Sequence, residues 1–156
     1  MRRALGLLAL VLLAGCGDDG GGGEDFPRAA TAVCEQANQR IIALGAPESF
    51  PDTQLFARRA KDAVHDQIAA LAELEPPAEG ADAVDLYLET LRERERLLAS
   101  LAEAADATSM NDVREVGSQI AALDTTAREQ ATAAGIAACE PGYAATVAVE
   151  IHYCPV

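Results

Sequence analysis

Beyond residue 25, apolar residues recur at three- and four-residue steps, the period of a helix with one buried face. The spacing predicts a first helix over 27–44, with Ala30, Val33, Cys34, Ala37, Ile41 and Leu44 on one stripe and Gly45-Ala46-Pro47 as its stop. A second is predicted over 53–75, carrying Phe56, Ala60, Val64, Ile68, Leu71 and Leu74. Asp52 is its expected N-cap, and Pro76-Pro77, which cannot donate helical hydrogen bonds, ends it. The third, over 81–107, places Val84, Tyr87, Leu88, Leu91, Leu98, Leu101 and Ala105 inward. The fourth, over 112–134, uses Val113, Val116, Ile120, Leu123, Ala127, Ala131 and Ala134, with Ser109 or Asn111 as cap and Gly135 as C-terminal stop.

Helices near twenty residues long, joined by a few residues each, must run antiparallel to their neighbours. The fold class expected is therefore all-α: an antiparallel four-helix bundle over residues 26–140, with stripes of Ala, Val, Leu and Ile throughout its interior. The pattern changes over 141–156. There Val147, Val149, Ile151 and Tyr153 alternate with other residues, the period of an extended segment, expected to lie on the bundle as a C-terminal tail.

The start of the chain follows a different pattern. Met1-Arg2-Arg3 is basic, the next ten residues to Leu13 are apolar, and Leu13-Ala14-Gly15-Cys16 follows. An apolar run of this length suits a signal peptide and is about half of what a membrane span needs. The segment resembles the lipobox of bacterial lipoproteins, in which the cysteine is acylated and the leader is cut immediately before it. The resemblance implies a signal peptide over 1–15, a lipidated Cys16 as the new N-terminus, and two or three palmitate-type acyl chains. Each buried methylene contributes about 0.8 kcal/mol, so several chains would hold the protein permanently to a membrane. Residues 16–25 hold five glycines and four acids, a composition expected to form a flexible tether. Its mean reach is roughly 17 Å.

Charge narrows the field of partners. The 12 Lys and Arg face 25 Asp and Glu, for a formal charge of −13. Loss of Arg2 and Arg3 with the leader would make this −15. No basic cluster is available to displace counterions from phosphates, so no nucleic-acid partner is expected. Alanine, at 34 residues, makes the apolar content less core-forming than its 50% suggests.

With Cys16 acylated, Cys34, Cys139 and Cys154 remain, in an exported setting where disulfides persist. An antiparallel bundle sets the start of its first helix beside the end of its fourth. Cys34–Cys139 is thus the expected link, with Cys139–Cys154 as its rival. A few uncharacterised small helical lipoproteins of actinobacteria look similar. They share a Cys in the first helix, a Leu-rich helix ending in Pro-Pro, and a Cys soon after a glycine; here these are Cys34, Leu71 to Pro77, and Gly135 to Cys139. That likeness implies no activity.

Residues suited to chemistry are few. Asp62 and His65 lie one helical turn apart, a spacing that suits two metal ligands, but di-iron bundles need two Glu-x-x-His units and two further Glu. No catalytic residue, resident metal or other cofactor is expected. The run Arg92-Glu93-Arg94-Glu95-Arg96 reads as a solvated face with local pairs such as Glu93 with Arg96. The expected function is a non-catalytic binding or interaction module of the cell envelope, held to the membrane on its extracytoplasmic side, with an envelope protein or small ligand as partner. The alternative is a metal-binding or carboxylate-dependent envelope enzyme.

Overall fold

A computed structural model describes residues 22–136 and Cys139. Four helices follow one another: α1 (Gly22–Ile42), α2 (Phe50–Ala72), α3 (Ala81–Asp106) and α4 (Met110–Ala133). They form the antiparallel all-α bundle expected, with no strand among the described residues. Cross-helix partners run in opposite numerical order: Gln54 meets Asp106 while His65 meets Glu95, and Thr90 meets Gln130 while Arg94 meets Asp124. The extended segment expected over 141–156 and the acylated Cys16 both lie outside the described residues.

Each helix packs on its neighbour in sequence, α1 on α2, α2 on α3 and α3 on α4. Among the described residues, the backbone of α1 does not come within 8 Å of α4, Cα to Cα. The seam between them is spanned instead by the chain that leaves α4. The core is slim, because small residues such as Ala57, Ala60 and Ala63 on α2 and Ala127 and Ala131 on α4 stand in it. Larger side chains, Phe26, Phe56, Leu71, Tyr87, Leu91 and Leu101, fill the rest.

Three helix starts differ from the sequence reading, that of α4 only by beginning at Met110 rather than Asp112. Helix α1 begins at Gly22, inside the segment expected to be tether, with Pro27 in its second turn. Phe26, absent from the expected stripe, is only 2% exposed and gives that extra turn a tertiary anchor. Helix α2 begins at Phe50, with Ser49 rather than Asp52 as N-cap. The Ser49 Oγ accepts from the Asp52 backbone N–H at 3.2 Å and donates to Asp52 Oδ2 at 2.5 Å. Serine thus satisfies an orphan donor while the acid sits in the first turn, near the positive end of the helix dipole. Ser49→Ala is expected to lower stability by about 1 kcal/mol, read from the urea midpoint. A midpoint unchanged within error would show that this cap does not hold α2.

Both Ser109, which caps α4, and Gly135, which follows it, take their expected places. Gly135 has φ 75°, and the Ile136 N–H reaches back to the Ala131 carbonyl at 2.8 Å, a Schellman ending. This ending turns the chain inward, so that Ile136 is 1% exposed. The α3–α4 corner uses the same hydrogen-bond pattern, Thr108 N–H to Ala105 and Ser109 N–H to Ala104. Here, however, the left-handed residue is Thr108, at φ 52°, the one non-glycine residue with positive φ among those described.

Candidate functional site

The interior departs most from expectation on one face of α3. Tyr87, Thr90 and Arg94 succeed one another at three- and four-residue steps and are all buried. They meet Cys34 of α1, Gln67 of α2, and Asp124 and Gln130 of α4. The bundle interior is therefore not the uninterrupted Ala, Val, Leu and Ile lining that the sequence suggested. Arg94 is not part of a solvated face either.

Cys34 and Cys139 are joined by a disulfide across 4.9 Å, Cα to Cα, with both residues buried. Cys139 is thus taken up by Cys34, and Cys154, its rival partner, lies outside the described residues. The Schellman ending after α4 supplies the geometry, since it sends the chain back toward α1 within four residues of Gly135. Beside the disulfide, Gln67 Nε2 lies 3.3 Å from both Cys34 Sγ and the Tyr87 hydroxyl, to which it donates. The Tyr87 hydroxyl is 3.9 Å from the same sulfur. One amide thus ties α1, α2 and α3 together at one level. Burial pushes the Tyr87 phenol up to about 12, against smaller downward pulls from Arg94 and the Gln67 hydrogen bond. It stays protonated at neutral pH and has no use as a proton acceptor there.

One turn along α3, Thr90 Oγ1 donates to Gln130 Oε1 at 2.5 Å. A turn further, Arg94 Nε stands 3.1 Å from Asp124 Oδ1, with both side chains almost fully buried. The pair is close enough for charge attraction but misses hydrogen-bond geometry, and these two atoms have no other partner. Burial raises the Asp124 carboxyl above its ordinary value, and Arg94 and Arg128 offset this only in part. Desolvation outweighs attraction at this carboxylate, as buried ion pairs often show.

The sequence candidates for metal binding do not converge. Asp62 and His65 are exposed, and His65 Nδ1 lies 3.0 Å from Glu95 Oε1 across the α2–α3 groove. The nearest cation to Asp62 is its neighbour Lys61, at 3.9 Å. Among the described residues, no three His, Cys, Asp or Glu are placed to share a metal ion. In the charged run of α3, Glu93 pairs with Arg96 as expected, while Glu95 serves His65.

Sequence reasoning missed Gln67, Thr90, Gln130 and Asp124, and placed Arg94 wrongly. The signal was position. Asp124 falls four residues after Ile120 and three before Ala127, and Arg94 three after Leu91 and four before Leu98, so both lie on the buried stripes.

The arrangement defines a class: an antiparallel four-helix bundle pinned by one disulfide and threaded by a sealed polar cluster. Comparison with known families, curated proteins and solved structures finds no match to the chain.

Proposed function

We propose that the protein is a membrane-anchored, extracytoplasmic lipoprotein whose helical domain is a non-catalytic binding or interaction module of the cell envelope. The observation that carries this is Leu13-Ala14-Gly15-Cys16 following a basic start and a short apolar run. The buried Cys34–Cys139 disulfide supports it, because such bonds persist in oxidising compartments. No helix among the described residues is long and apolar enough to cross a membrane, so attachment would fall to the lipid on Cys16. The polar cluster favours a non-catalytic module, since its groups are sealed, its phenol stays protonated, and its charges face one another. The metal or carboxylate-enzyme reading would rest on Asp62 and His65, which point to separate partners.

The test is Cys16→Ser, followed by detergent-phase partition and mass measurement of the N-terminal peptide. The variant is expected to lose membrane partition and the acyl mass together, and to retain its leader. Unchanged partition into the detergent phase would defeat the lipoprotein reading.

A further inference from the structure

We propose that the α3–α4 corner is a hinge through which two copies of this chain exchange α4, forming a domain-swapped dimer. This inference is independent of the lipoprotein reading. It begins with Thr108, a β-branched residue held in the left-handed region at φ 52° inside a three-residue connection. Such residues sit there at a cost, and straightening the corner into helix removes it. Short strained connections are the usual site of exchange between copies.

Of the three corners, only this one can straighten. The α1–α2 connection carries Gly45 and Pro47, with Pro51 just inside α2, and the α2–α3 connection carries Pro76, Pro77 and Gly80. From Ala81 to Ala134 there is no proline. A continuous helix over this stretch would be about 80 Å long.

Its buried faces also agree. Counted through the corner at 3.6 residues per turn, the buried faces of α3 and α4 lie less than a right angle apart, offset by roughly 70°. Two such helices can therefore lie antiparallel along their whole length, with the two-fold axis at Thr108. Each α4 then packs on the second copy's α3, the element it already packs on in the closed form. Asp124 would pair with the second copy's Arg94, and Cys139 would meet the second copy's Cys34.

That last pairing supplies the readout. Disulfide exchange with oxidised glutathione converts the two thiols to one disulfide, and glutathione takes up both electrons and both protons as two thiols. The bond closes within one chain in the monomer and between chains in the swapped dimer.

The experiment uses the full chain carrying Cys16→Ser and Cys154→Ser, in mild detergent. Cys34→Ser and Cys139→Ser versions are unfolded together, refolded at high concentration and oxidised. A covalent heterodimer is expected on a non-reducing gel, with peptide mapping joining Cys34 to Cys139. In parallel, the chain retaining both cysteines is refolded at rising concentration, where Cys34–Cys139-linked dimer is expected to increase. This arm does not depend on the single variants folding. Thr108→Gly relieves the closed corner and weakens the straight helix. It is expected to raise the dimer dissociation constant roughly a hundredfold, about tenfold for each of the two hinges. Intramolecular linkage alone at every concentration overturns the proposal, as does a dimer yield that Thr108→Gly leaves unchanged.

Discussion

Replacing Asp124 with Ala is expected to destabilise the fold by about 3–5 kcal/mol, while replacing Arg94 and Asp124 together with Met and Leu leaves stability equal or higher. Both side chains are buried, and each is the other's one ion-pair partner among the described residues. Removing the carboxylate strands a guanidinium that cannot shed its proton, with Arg128 adding like charge nearby. Removing Arg94 alone strands a carboxyl that can take a proton, so Arg94→Met should cost less in acid than at neutral pH. The direction of the Asp124 shift fixes the sign for the native chain. A carboxyl raised by burial contributes stability that is fully present below the ordinary carboxylate range and lost as pH rises through its folded pKa. Urea unfolding of native and doubly apolar chains across that range should therefore diverge, the native chain falling away as pH rises. A double variant less stable than Asp124→Ala would show that the pair stabilises the fold outright.

The second large effect concerns the disulfide. Cys34→Ala with Cys139→Ala is expected to lower stability by about 4–5 kcal/mol, the loop-closure value for cysteines 105 residues apart. No direct packing of α1 on α4 compensates, and Gln67 and Tyr87 lose the sulfur between them. Urea unfolding followed by circular dichroism measures this. A loss of only about 1 kcal/mol would mean that the cross-link holds little of the unfolded chain in check.

Much of the fold was legible because helical stripes and breakers are local signals. Leu71, Leu98 and Ile120 fall on the buried faces expected of them, and Gly135 and Ser109 mark their helix ends. The α1 start was not, because Phe26 earns its place through a contact made elsewhere in the fold. The polar cluster was hidden for a different reason. Arg94 reads by its charge as part of a solvated run and Asp124 draws no notice, since residues that cannot neutralise or desolvate cheaply are usually outside. Their phase on the helix carried the opposite information, and phase was right. Antiparallelism pointed to Cys34–Cys139, yet the bond joins the middle of α1 to the chain that turns back after Gly135, and no helix ends meet there.

Because each helix backbone closely approaches only its neighbours in the chain, most native contacts among the described residues lie within one helix or between helices adjacent in sequence. Chains of such low contact order fold in microseconds to milliseconds, whereas thiols oxidise over seconds to hours. The helices are therefore expected to find their places with Cys34 and Cys139 still reduced. The Cys34–Cys139 bond then forms in a molecule that already has its shape, and slows its unfolding rather than guiding its folding.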